Sequence, residues 1–323
     1  MSAARLVLLI TSPRVAPGLL TAEAWDIVRS ARVLAADADH PQADALAAAG
    51  VEIEAIGPPE ARNLVGLAES GTVVWLGSPD GDPGLTDGLA AEVATRATRG
   101  EPHPEVEVVM GSYDLPGARL LDLVTVMDRL RSPGGCPWDR EQTHRSLAPY
   151  LIEEAYETLE AIETHPEHLR EELGDLLLQV VFHARIAEEQ DTNPYSIDDV
   201  AAGIVSKLVS RHPHVFGDAD APTAAHVEAR WEELKAAEKG RESALDGIPA
   251  AMPALSLAAK TIGRASRAGV TPEIPAVDPG LPIGTLLLAV VARAHEQGVD
   301  AEQELREAVR DYARAVRELE SGG

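Results

Sequence analysis

The stretch from Leu147 to Gln190 constrains this chain more than any other, because it reads as two helical segments carrying Glu153, Glu154, Glu157, Glu172 and Asp175. After Asp175 the second segment, Leu176-Leu177-Leu178-Gln179-Val180-Val181-Phe182, is apolar on nearly every side, the pattern of a buried helix. Its acids are therefore expected to be buried as well. At about 100° per residue, Glu172 and Asp175 stand about 60° apart and share a face with Leu176, Gln179 and Ile186. An ionised carboxylate withdrawn from water without a partner is strongly unfavourable, so two on one apolar helix require a cation or protonation.

The first segment offers the other half of a cation site. Glu153 and Glu157 are four residues apart and Glu154 and Glu157 three, so the three carboxylates share a flank opposite Leu151, Ala155, Leu159 and Ile162. Read alone, an acidic flank is a solvated surface. The short connection Thr164-His165-Pro166-Glu167, with Pro166 as a helix-start signal, favours an antiparallel pair in which the acids of both helices converge. Four or five carboxylates with no Cys and no evident His ligand make a hard site, suited to Mg²⁺, with Mn²⁺ as a substitute, rather than Zn²⁺. The paired Glu-x-x-His repeats of a di-iron bundle are not found. Mg²⁺ held by a few carboxylates usually meets substrate phosphates, and phosphate chemistry is the expectation.

With 323 residues, 45% of them hydrophobic, the chain has material for two domains. A formal net charge of -25 and the lack of a basic stripe argue against a nucleic-acid groove. The single Cys136 excludes an intrachain disulfide, and no signal sequence or long apolar span is evident, so a soluble cytoplasmic protein is expected.

Residues 1–104 alternate short apolar runs (Leu6-Val7-Leu8-Leu9-Ile10, Val33-Leu34-Ala35, Val51-Ile53, Val73-Val74-Trp75-Leu76) with helical stretches, predicting a small α/β domain with a parallel sheet. The turn Thr11 to Gly18 is a poor phosphate cradle, and the Gly/Pro/Asp run from Gly77 to Gly84 is read as turns rather than a ligand loop. Through Leu20-Thr21-Ala22-Glu23-Ala24 and the Gly81-Asp82-Pro83 turn, this segment resembles the first half of the tetrapyrrole methylase fold. Those methylases bind S-adenosylmethionine between two subdomains. Here the second subdomain and the glycine-rich first turn are missing, so the resemblance implies a truncated, non-catalytic remnant that packs or assembles.

A polar linker is expected around residues 99–116, then an amphipathic helix over Ala118–Arg131 and a loop from Ser132 to Asp139 whose Trp138 is a candidate to flank a base, or else core. Beyond Asn193-Pro194 the pattern predicts a helix from Ile197 to about Arg211, ended by Pro213, and a further helix near Thr223–Lys239. Lys207 and Arg211 on the former, and Trp231 and Lys235 on the latter, are each four apart. Such residues are usually solvated; beside an acidic metal cluster they would face a polyphosphate. His212 and His214 read as a capping turn or as metal ligands.

The run Gly174-Asp175-Leu176-Leu177-Leu178-Gln179-Val180-Val181 is echoed by Gly284-Thr285-Leu286-Leu287-Leu288-Ala289-Val290-Val291. This predicts a duplicated helical architecture over 252–323 whose second copy has lost its acids: Thr285 stands for Asp175, Pro282 for Glu172, and the preceding helix carries Lys260, Arg264 and Arg267. The final helix, Ala301–Glu320, should close that C-terminal bundle.

Taken together, Cys136-Pro137-Trp138-Asp139, Glu153-Glu154-Ala155-Tyr156-Glu157, Glu171-Glu172-Leu173-Gly174-Asp175 and Arg211-His212-Pro213-His214-Val215-Phe216 resemble the MazG family of nucleoside triphosphate pyrophosphohydrolases, of the all-α NTP-pyrophosphatase superfamily. The resemblance spans about Gly117 to Gly323. It implies a mainly α protein, an antiparallel MazG-like bundle at 117–240, that releases monophosphate and pyrophosphate from nucleoside triphosphates by Mg²⁺-dependent attack of water at the α-phosphorus. It further implies Glu154, Glu157, Glu172 and Asp175 as metal ligands, and Glu153 beside them orienting or deprotonating the water. Lys207, Arg211, Trp231 and Lys235 would lie around the nucleotide, in one active motif per chain. A homodimer or larger assembly, and a role in clearing damaged nucleotides from the pool, follow from the family alone. The alternatives are a phosphohydrolase acting on a phosphoribosyl compound, or a helical interaction module without catalysis.

Overall fold

The computed structural model describes residues 4–77, 82–217, 223, 226–227 and 243–321. The chain divides into two compact units, Met1–Ala201 and Ala202–Gly323. The boundary falls inside a helix, whereas the sequence places divisions near 104 and 240.

The first unit opens with five strands, β1 (Arg5–Ile10), β2 (Arg32–Ala35), β3 (Ile53–Ala55), β4 (Thr72–Leu76) and β5 (Glu105–Met110), in the order β3-β2-β4-β1-β5. Every pairing is parallel. A parallel sheet is covered on both faces, which is why β1 and β4 read as continuous apolar runs. Leu6 and Leu8 of β1 join Leu64, Val65, Trp75 and Leu89 on one face, while Val7 and Leu9 join Val28, Leu46, Val74 and Leu76 on the other. The helices supplying these layers are α1 (Ala22–Ser30) and α2 (Ala43–Ala48) on the second face, and α3 (Ala61–Leu67) and α4 (Leu85–Arg99) on the first.

One expectation is corrected: the stretch read as a linker contains β5, so the sheet extends past residue 104. Alternation of Glu105, Val106, Glu107 and Val108 dilutes the apolar signal there. The strand is held by pairing along β1 and by an Arg5–Glu107 ion pair. Arg14, in the turn after β1, donates to Asp114 (2.6 Å) and Asp122 (3.0 Å), tying the sheet to the start of the next helix.

That helix, α5 (Arg119–Arg131), leads through α6 (Pro137–Glu141) into the pair α7 (His144–Glu163) and α8 (Leu169–Glu188). α6 lies where the sequence predicts only a loop; five residues are too few to show a helical period. The pair is antiparallel: Thr158 Oγ1 donates to the Glu172 carbonyl (3.4 Å) near one end, and His144 meets His183 (2.8 Å between Nδ1 atoms) near the other. Met127, Leu147, Val181, Phe182 and Ile186 form the core between α5, α7 and α8.

α9 (Ile197–Arg211) crosses the boundary between the units. The second unit continues with α10 (Pro213–Phe216), α11 (Ala254–Arg267), α12 (Ile283–Glu296) and α13 (Ala301–Ser321), of which the last three pack together. α11 and α12 pack against each other, and Ala289 and Val291 of α12 are buried. No described helix is long and apolar enough to cross a membrane.

Candidate functional site

A capping box sets the register of α7: the Thr143 hydroxyl accepts from the Ser146 N–H (3.1 Å) and the Ser146 hydroxyl accepts from the Thr143 N–H (2.9 Å). Counting from that start, Glu153, Glu154 and Glu157 fall within little more than one turn of α7. α8 runs back past them with Glu172 in its first turn and Asp175 one turn further. The antiparallel contact at Thr158 and Glu172 therefore sets the two acidic turns side by side.

The carboxylates meet. One oxygen each of Glu154, Glu157 and Glu172 lie within 4.8 Å of one another, the only such group of three ligating side chains among the described residues. Asp175 is close enough for its charge to act on both Glu154 and Glu172. Glu153, exposed on the same helix, acts on Glu154 more weakly. Among the described residues no Lys or Arg forms an ion pair with any of these acids, although such pairs are frequent elsewhere in the first unit.

Burial is where the structure departs from expectation. Glu154, Glu172 and Asp175 are half-buried and Glu157 is exposed, so the acids stand at a partly exposed surface instead of in an enclosed core. An all-round apolar helix shows that α8 is apolar, not that one chain covers every side of it. Its buried residues, Gln179, Val181, Phe182, Ala184, Ile186 and Ala187, lie in its second half, whereas Leu173 is 50% exposed. Partial desolvation still has an effect. Burial first, then the charges of Asp175 and Glu157, hold the Glu154 carboxyl above the ordinary carboxylate range. Burial first, then Glu157, Glu171 and Asp175, do the same to Glu172.

These shifts predict a pH dependence. A carboxyl raised in the folded state favours folding while protonated, below its unfolded value of about 4.3, and loses that contribution as pH rises through the folded value. In chelator, the melting temperature of the helical pair should therefore fall as pH is raised above the ordinary glutamate range. The fall should be smaller in a Glu154→Gln variant. Millimolar Mg²⁺ at neutral pH should reverse it, because a ligand bound only by the folded state stabilises it. Melting curves with and without metal across that range check the sign.

The remaining predicted site residues are distributed as follows. Trp138 lies on α6 with Tyr150 of α7 and Phe182 of α8 against it, ring centroids 6.2 and 6.5 Å away. Lys207 is exposed on α9 and Arg211 is buried at its end, both within the second unit. Trp231 and Lys235, and most of the helix predicted around them, lie outside the described residues, as do residues 78–81 of the Gly77–Gly84 run. The His212 Nδ1 sits 2.7 Å from the Leu208 carbonyl, which fits the capping alternative. Two further residues border α6: Tyr150, one turn before Glu154, and Arg131 in the last turn of α5, which carries no signal in the sequence.

Residues 142–216 match the model of the MazG nucleotide pyrophosphohydrolase domain. The chain is 45% identical over 231 residues to a nucleoside triphosphate pyrophosphohydrolase of Mycolicibacterium smegmatis, covering 68% of this chain and 67% of that protein. It is 41% identical over 221 residues to the nucleoside triphosphate pyrophosphohydrolase/pyrophosphatase MazG of Thermotoga maritima, covering 62% and 84%. An uncharacterized 26.1 kDa protein from the blaB 3′ region of Streptomyces cacaoi is 50% identical over 250 residues, covering 76% of this chain and 99% of that one.

Proposed function

This chain belongs to the MazG family of nucleoside triphosphate pyrophosphohydrolases, and we propose that it hydrolyses its triphosphate at the α-phosphorus, with a divalent cation held by Glu154, Glu157, Glu172 and Asp175. The observation that carries this reading is the convergence of three carboxylates within 4.8 Å on two packed helices, with no ion pair to a Lys or Arg among the described residues. The donor set fits the ion: oxygen ligands only, on a half-open surface that leaves room for substrate, suit Mg²⁺ or Mn²⁺. Bound there, the cation supplies positive charge to the phosphate oxygens and acidifies the attacking water.

The chain's own residues do the rest. The four acids fix the place where phosphate is held, and their mutual repulsion disfavours the bundle until it is filled. Glu153, one residue before the cluster and exposed, would orient the water and accept its proton. Water attack in line with the leaving pyrophosphate gives nucleoside monophosphate and pyrophosphate. Exposed Leu173 and Val180 on α8 favour a second copy covering that face; light scattering measures the assembly.

Pyrophosphate release from a panel of nucleoside triphosphates, with Mg²⁺ and with EDTA, tests the proposal. Release confined to the metal-containing samples is expected. Release of inorganic phosphate instead, or equal rates in EDTA, would refute it. A house-cleaning role predicts higher kcat/KM for oxidised nucleotides than for ordinary ones in the same assay.

A further inference from the structure

Trp138 and Tyr150 are 51% and 42% exposed, yet they are fixed relative to one another, edge to face with ring planes at 77°. The inner edge of Trp138 rests on Phe182, which is buried in the bundle core, at 63°. The result is an aromatic shelf, supported from below and open above. Tyr150 precedes Glu154 by one helical turn on the same face, about 6 Å of rise. That is the order of distance separating a nucleobase from its α-phosphate across a ribose.

What holds the shelf is Arg131. Its side chain is 3% exposed, and a buried guanidinium is tolerated only when its N–H groups find acceptors. Nε and Nη2 donate to the two oxygens of Glu189 at 3.0 and 2.7 Å. Nη1 donates to the carbonyls of Asp139 and, at 3.4 Å, Gln142, at the end of α6. The guanidinium also lies 5.5 Å over the Phe182 ring, and Arg185 donates to Glu189 at 2.9 Å. Arg131 thus ties the short helix bearing Trp138 to the far end of α8, while the Gln142 side chain donates to the Trp138 carbonyl (2.9 Å).

We propose that Trp138 is the shelf on which the nucleobase stacks, with Tyr150 standing nearly perpendicular to it as a side wall, and that Arg131 is the positioning residue setting its distance from the acids. The proposal rests on the reading that phosphates are held at Glu154, Glu157 and Glu172. It places the grip on the base on α6 and the start of α7, away from the metal ligands. Stacking on an aromatic ring tolerates every base, so the shelf supplies affinity for nucleotides as a class.

The test compares Trp138→Ala, Arg131→Met, Arg131→Lys and the Trp138→Ala/Arg131→Met double variant. Loss of one stacked ring should raise KM for nucleoside triphosphates roughly tenfold or more, with a much smaller change in kcat. KM for ribose 5′-triphosphate, which has no base, should not move. Arg131→Met should raise KM similarly, Arg131→Lys should recover part of the loss, and the double variant should be no worse than the worse single one. If Trp138→Ala leaves KM unchanged, or Arg131→Met lowers kcat and melting temperature alike with no rescue by Lys, the proposal is overturned while hydrolysis stands. A second readout needs no turnover: a nucleoside, which carries no phosphate for the unneutralised acids to repel, should quench tryptophan fluorescence in EDTA, and Trp138→Phe should reduce the change severalfold. Quenching without hydrolysis in metal would retain the shelf and remove the proposed reaction; quenching undiminished in Trp138→Phe would remove the shelf.

Discussion

Glu172→Gln should abolish pyrophosphate release, by more than the roughly 10–100-fold that outer partners of a metal site cost, and yet leave the helical pair as stable as before or more so in chelator. Both halves follow from one fact. Glu172 is a half-buried carboxylate beside Glu154 and Glu157, held above its ordinary range by burial and by the charges of Glu157, Glu171 and Asp175. Glutamine keeps the shape, removes the repulsion and loses the charge that a cation needs. Asp175→Asn should behave in the same direction. Glu153→Gln is the contrasting case: kcat should fall while Mg²⁺ affinity by calorimetry stays near wild type, because its side chain stands outside the group of three. A Glu172→Gln enzyme retaining more than about a tenth of its turnover would exclude the acidic cluster as the reaction centre, since direct ligands matter more than their outer partners.

The parts of the molecule legible in the sequence are those whose local pattern and tertiary role coincide. β1 and β4 are apolar because both faces are covered, and α7 and α8 carry their acids at spacings that no other secondary structure would bring together. β5 was hidden because its edge position lets Glu105 and Glu107 alternate with valines. The burial of Glu172 and Asp175 was overestimated for a related reason. The apolar run after Asp175 belongs to the second half of α8, where α5 also packs, while the acids sit in the first half. Arg131 was illegible in a stricter sense. An arginine in the last turn of an amphipathic helix reads as solvated, and its partners, Asp139, Gln142 and Glu189, become neighbours only once α6 folds back against α8. Long-range acceptors of a buried charge leave no periodic trace.

The core beneath that clamp yields the largest stability effect. Phe182 is 3% exposed and packs in one cluster with Met127, Leu147, Val181 and Ile186. Truncating a buried Phe to Ala costs about 3–5 kcal/mol, part of it for the cavity left behind. The upper end is expected for Phe182→Ala, because the ring also supports the edge of Trp138 and Arg131, and Arg131 cannot collapse inward without breaking its hydrogen bonds to Glu189. Val180→Ala, two residues earlier on the same helix but 40% exposed, should cost far less. Because the chain has two compact units, the measurement should be local: hydrogen exchange of α7 and α8 amides against urea. Phe182→Leu, which restores most of the volume but no aromatic face, should recover most of the stability and little of the nucleotide KM. A Phe182→Ala cost below about 1 kcal/mol would mean that the bundle is not built around this residue.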